Sequence, residues 1–237
     1  PEGRATGPIA AKFRYDSKRH RYELKETGPR LFPSDIHVVE GGALQVNDAW
    51  AIYGRPIRSG SLPLLWCRKK DPFSETPGYL FDQPRQGQPT VQAPFTAYRC
   101  ADGCIRVFTG DAESSPYENR RNPLYCWELN PQLDYSLSRR QVLKDILVDH
   151  PQIRPESEPI ADMAKVLPHS GGDTQLVAFR VRTESINYDR ERKLMPKHHP
   201  LRQSPAISDS ERDLHGIYIA RLNYDKNYPD EWTFAVA

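Results

Sequence analysis

Methionine is nearly absent from this chain, at two residues in 237, and there are only four cysteines. No stretch of 18 apolar residues occurs, which excludes a membrane-spanning helix. Charge of one sign is also lacking. Lys and Arg number 33 against 31 Asp and Glu, a net charge of +2, too small a surplus to hold a phosphate backbone. The four cysteines lack the paired spacing of a zinc site. There is no G-x-S-x-G elbow, P-loop, H-E-x-x-H pair or dinucleotide fingerprint. Nucleic acid and membrane are therefore not expected as partners, and no cofactor or metal-ligand set is implied.

What is present is proline and aromatic side chains. The chain has 22 prolines, and aromatics make up 10% of it. With 38% hydrophobic and 27% charged residues it suits a globular fold of many short strands separated by turns. A weak internal repeat supports this. Segments ending near Asp16, Asp71, Asn130 and Asp225 each read as a strand closed by a turn. Anchored on Phe13, Lys70, Leu129 and Leu222, they are 57, 59 and 93 residues apart. A period of about 50–60 residues is what one four-stranded propeller blade requires.

The clearest unit is 94–146. Runs 95–100, 104–109, 123–129 and 137–143 alternate with period two and are bounded by Gly, Pro, Asn and Asp, the pattern of a meander. Unit 36–82 precedes it, with a first hairpin turning at Asn47-Asp48 or at Gly41-Gly42. Unit 159–236 follows. Residues 9–24 match only half a unit, with strands 9–15 and 20–24. The expected fold is thus all-β, a single propeller portion of about three and a half four-stranded antiparallel blades. The remaining blades are expected in upstream sequence or in another chain. Cys100 and Cys104 flank the turn 101–103, where a hairpin sets them face to face in reach of oxidation or leaves them as small packing residues.

In a meander, the second-to-third-strand loops share an end of the sheet with the connections between units. Those loops are 25–36, 55–61, 82–94, 110–122, 147–159 and 182–215. The last is an insert that makes the third unit 34 residues longer than the second. Function concentrates on long loops held by a rigid sheet. Arg55, Arg121, Arg180 and Arg182 stand at corresponding places at this end. Arginine forks bind carboxylates in a bidentate way, so these four are the expected substrate-binding residues and an acidic glycan the expected ligand. Three chemistries fit the loop inventory. Paired carboxylates would serve a hydrolase, a His or Tyr base a uronate lyase, and a Tyr nucleophile a sialidase-like scheme. His150, Tyr188, Glu158 and His198 are the candidate catalytic residues.

Residues 121–127 and 172–179 carry a further signal. Their strand pattern resembles the BNR-repeat, sialidase-like propellers that act on or bind glycans, although the S-x-D-x-G-x-x-W Asp box of that family is absent. The resemblance implies a propeller fold and a carbohydrate ligand, an oligo- or polysaccharide, met outside the cytosol in an extracellular or periplasmic setting. Two functional expectations follow: a glycoside hydrolase or polysaccharide lyase acting on an acidic glycan, or a non-catalytic module that binds a glycan or a protein.

Overall fold

The computed structural model describes residues 8–33, 36–56, 65–75, 78–81, 93–100, 102–111, 115–117, 119–130, 136–167, 174–183, 208–223 and 233–236. The chain is all-β, in small open antiparallel sheets. β1 (Ile9–Asp16) and β2 (Arg21–Arg30) form a two-stranded ribbon, sheet 1. β3 (Val38–Val46), β4 (Ala49–Pro56), β5 (Leu65–Lys69) and β6 (Tyr79–Phe81) form sheet 2 in sequence order. β7 (Thr96–Arg99), β8 (Ile105–Thr109), β9 (Leu124–Asn130) and β10 (Ser136–Lys144) form sheet 3. β11 (Pro159–Val166), β12 (Thr174–Thr183), β13 (Gly216–Asn223) and β14 (Thr233–Val236) form sheet 4. Among the described residues, two short α-helices, α1 (Ile146–Asp149) and α2 (Asp209–Asp213), lie in the connections. The chain divides into two compact units, residues 1–88 with 130–136 and residues 89–129 with 137–237.

In the first unit, Val46 pairs with Ala49, so the hairpin turns at Asn47-Asp48, with Asn47 at φ 55°. Asparagine enters this left-handed region at low cost, which favours it in two-residue hairpin turns. Gly41 and Gly42 instead lie inside β3, where a Cβ on Gly41 would strike the Tyr53 carbonyl. β2 runs to Arg30 rather than ending at Leu24. Its polar second half stays paired because Thr27 and Glu26 remain opposite Ala11 and Lys12 across a register shift. Leu31, Phe32, Val38, Ile52 and Cys67 form the apolar core of this unit.

In the second unit, sheets 3 and 4 bury one face each in a common core. Sheet 3 contributes Phe108, Leu124, Cys126 and Leu143, and sheet 4 contributes Ala161, Val177, Phe179, Val181, Ala220 and Leu222. Along β12 the buried residues are Gln175, Val177, Phe179, Val181 and Thr183, while Ala178, Arg180 and Arg182 alternate onto the outer face. Strand pleat imposes this division: once Phe179 faces the core, Arg180 cannot. The Cys100 backbone N–H donates to the Cys104 carbonyl at 2.8 Å, closing the 100–104 hairpin, and all four cysteines are free thiols.

Phe179 is 1% exposed within this core. Phe179→Ala is expected to lower the unfolding free energy by about 3–5 kcal/mol, through lost burial and an unfilled cavity. Urea denaturation followed by tryptophan fluorescence measures the change.

Candidate functional site

The connections at one end of the second unit's sheets are tied together by buried polar side chains. The loop between β8 and β9 reaches sheet 4 directly. Asn119 Nδ2 donates to the Pro159 carbonyl at 2.8 Å, and the Ala161 N–H donates to the Arg121 carbonyl at 3.0 Å. Gly110 opens this loop so close to its far side that a Cβ would collide with the Arg120 carbonyl. Asn122, fully buried, accepts from the Ile146 N–H at 2.9 Å and donates to Asp145 Oδ1 at 3.3 Å. Asp145 caps α1 through the N–H groups of Leu147 and Val148 and accepts from the Tyr117 hydroxyl at 3.1 Å. Burial, then the Asp145 charge, raises the Tyr117 pKa, so this phenol stays protonated and donates.

A second tie joins the start of β11 to α2. Glu211 is buried and accepts two hydrogen bonds from Arg154 Nη2, at 2.9 and 3.1 Å, one from the Ser208 N–H at 2.7 Å, and one from the Ser157 hydroxyl. Together with Ser208 it forms a capping box on α2. Burial alone would raise the Glu211 carboxyl, but the bonds from Ser157, Arg154 and Ser208 outweigh it and hold the pKa at about 2.

At this end, on the outer face of sheet 4, two of the four expected arginines meet. Asp162 of β11 lies opposite Arg180 of β12. Arg180 Nε and Nη2 donate to the two Asp162 carboxylate oxygens at 2.9 and 3.0 Å. Arg121, from the loop before β9, brings Nη1 to within 3.4 Å of Asp162 Oδ2. Asp162 is 1% exposed. It orients two guanidinium groups that arrive from different sheets. Arg182 follows two residues after Arg180 on the same face, opposite Ile160. Beside it, His215 Nε2 accepts from the Thr183 N–H at 3.0 Å. Burial, then the Arg182 charge, pushes His215 below the ordinary imidazole value. That ring is therefore neutral at neutral pH, with Nε2 as acceptor and its proton on Nδ1.

The remaining expected residues lie elsewhere. Arg55 is in the first unit, paired with Glu40 across β3 and β4 at 2.9 Å. His150 terminates α1, its N–H donating to the Ile146 carbonyl, and its Nε2 is 3.5 Å from Lys144 Nζ. Burial, then the Lys144 charge, pushes the imidazole pKa down. Lys144 itself is buried. It pairs with Asp149 at 2.6 Å and stands 5.3 Å over the Tyr218 ring. Glu158 is exposed, at φ 50° in the left-handed turn that closes the 3-10 segment Pro155–Ser157. Tyr188 and His198 lie outside the described residues. Among the described residues, no group of three or more His, Cys, Asp or Glu is arranged to hold a metal ion.

Sequence reasoning missed Asp162, Asn122, Asp145, Glu211 and His215. One signal was available for Asp162: an acid within the mostly apolar run 159–164 needs a cation on its own face. Glu211 sits three residues after Ser208, the spacing of a capping box.

Two outcomes test these ties. Asp162→Ala is expected to cost about 1–3 kcal/mol, because Arg180 and Arg121 lose their shared acceptor but keep access to water; thermal unfolding reads it. Glu211 has a folded pKa of about 2 against an ordinary value of 4.5. A depressed carboxyl pKa stabilises the fold above the unfolded value, and that stability is lost as pH falls from about 4.5 toward about 2. Glu211→Gln should flatten this acid-side loss in denaturation curves taken across that range.

No protein family, curated protein or solved structure matches this chain.

Proposed function

We propose that this chain forms part of a β-propeller whose loop end in the second unit binds an acidic, carboxylate-bearing glycan. The single supporting observation is that Arg121 and Arg180, carried by different sheets, share the one buried carboxylate of Asp162. Two cations on one anion leave that point attractive to a further carboxylate. Asp162 also restrains both side chains before a ligand arrives, which removes part of the ordering cost of binding. Arg182 extends the cationic strip along β12. Lysine could not replace these forks, because a carboxylate engages a guanidinium through two parallel bonds. The propeller reading rests on three four-stranded sheets of the same strand order, with the two-stranded ribbon as a fraction of the same unit.

A second reading, a lyase acting on a uronate glycan, rests on His150, which lies apart from the Arg121–Arg180 pair. Its lowered pKa leaves a neutral imidazole at neutral pH, a form able to take the proton next to a uronate carboxylate.

The test is affinity electrophoresis of the protein in gels containing polygalacturonate, alginate or neutral dextran. Retardation by the two uronate polymers and none by dextran is expected. Arg180→Gln should weaken uronate binding about tenfold or more, roughly the 1.4 kcal/mol or more of a lost charged fork. Equal mobility in all three gels would sink the proposal. For the lyase reading, an unsaturated-uronate chromophore should appear with the wild type and vanish in His150→Ala.

A further inference from the structure

Cations continue along the outer face of sheet 4 beyond the arginines of the site. Read from the end of β12 toward its start, the outward positions form rows. Arg182 lies opposite Ile160, Arg180 opposite Asp162 and Ile217, Ala178 opposite Lys165 and Ile219, and Leu176 opposite Arg221. Each row of strand residues holds one cation: Arg182, Arg180, Lys165, then Arg221. Successive rows are two residues apart, about 6.7 Å along the strand, so the line is about 20 Å long. Lys165 owes its place to a β-bulge. The register shifts between Asp162 and Lys165, with Met163 at φ 57°. The extra residue lets Ala164 enter the core and turns Lys165 outward beside Ala178. Lys165 and Arg221 are exposed, and among the described residues neither is paired with a carboxylate. Asp162 is the single acid in the four strands of sheet 4, and it is already held by Arg180 and Arg121. Ile217 and Ile219 flank the line, 71% and 41% exposed.

We propose that the ligand of this face is a linear polyuronate, with a carboxylate on successive sugars, laid along β12 over these rows. The polymer builds on the uronate capture by Arg121 and Arg180 proposed for this end, and it makes Lys165 and Arg221 residues that select for chain length. A glycan with one terminal acidic sugar would fill one arginine fork, and the cations of the next two rows would face only water. A polymer meets all four rows at once, so its later carboxylates bind at the high local concentration set by the first. Ile217 and Ile219 give the C–H faces of the sugar rings an apolar contact that removes water from both. A nucleic acid is also a regular polyanion. Among the described residues, though, no aromatic ring shares these outward rows, and base stacking on such rings carries much of single-strand binding.

Calorimetric titration of the full chain tests this, with a galacturonate trisaccharide, a galacturonate octasaccharide and an oligothymidylate matched in charge to the octasaccharide. The wild type should bind the octasaccharide about tenfold more tightly than the trisaccharide, from two further exposed charge pairs. Lys165→Gln with Arg221→Gln replaces two exposed side chains and should leave the fold intact, as circular dichroism checks. In that double variant the gain should shrink to the few-fold advantage that several binding registers give any longer chain, with trisaccharide affinity unchanged. Arg180→Gln should weaken both uronates. If the trisaccharide binds through Arg180, three results overturn the polymer while the site stands: equal affinity for both lengths, a double variant that keeps the full gain, or an oligothymidylate that binds as tightly as the octasaccharide. Uronates that do not bind at all, or that bind Arg180→Gln as well as the wild type, would overturn the site and the polymer with it.

Discussion

Burial of one face of sheet 3 against one face of sheet 4 is the constraint from which the rest of the second unit follows. Phe108, Leu124, Phe179, Val181 and Leu222 meet there with almost no exposure. At roughly 25 cal/mol per Å² of apolar surface removed from water, such side chains supply the main favourable free energy of the unit. They also set the phase of every strand. A one-residue slip in β12 would turn Phe179 outward and carry Arg180 into the core, where its charge would be costly without a partner. The outer position of Arg180 and Arg182 is thus a by-product of how the core packs.

The same core brings loops of different sheets together at one end, and this creates a polar problem. Helix starts, strand ends and turn carbonyls converge there among buried residues such as Asn122, Ser157 and Glu211. These buried groups are met by partners, several of them from distant parts of the chain. Asn122 satisfies Ile146 and Asp145, and Glu211 gathers Arg154, Ser157 and Ser208. A buried polar group left unmatched costs about 1–3 kcal/mol, so such networks tolerate little movement. Rigidity of this kind is what a binding site on loops requires.

Much of this fold was legible because strands separated by Gly, Pro, Asn and Asp turns announce themselves locally. Runs such as 95–100, 104–109 and 123–129 correspond closely to β7, β8 and β9. Where local reading left a choice, as between Asn47-Asp48 and Gly41-Gly42, register decided it: the glycines are needed for close approach to Tyr53 rather than for turning. The helices at Ile146–Asp149 and Asp209–Asp213 are too short for periodicity to reveal them. In the candidate site, Arg121 and Arg180 could be named from loop position, but their meeting point could not. Arg121 and Asp162 are 41 residues apart and Arg154 and Glu211 are 57 apart, separations across which local pattern carries no information.

By itself, then, the sequence determined the kind of structure: short alternating strands, turn residues between them, arginines at the loop ends. Those are properties of neighbours along the chain, governed by pleat, turn geometry and side-chain polarity. Tertiary structure alone decided that Asp162 is the carboxylate on which Arg121 and Arg180 converge, that Arg55 spends its charge on Glu40, and that His150 faces Lys144. Electrostatics and hydrogen bonding act over a few ångströms of space: strand pairing within sheet 4 brings Arg180 to Asp162, and the meeting of the sheet 3 loop with sheet 4 brings Arg121 to the same carboxylate.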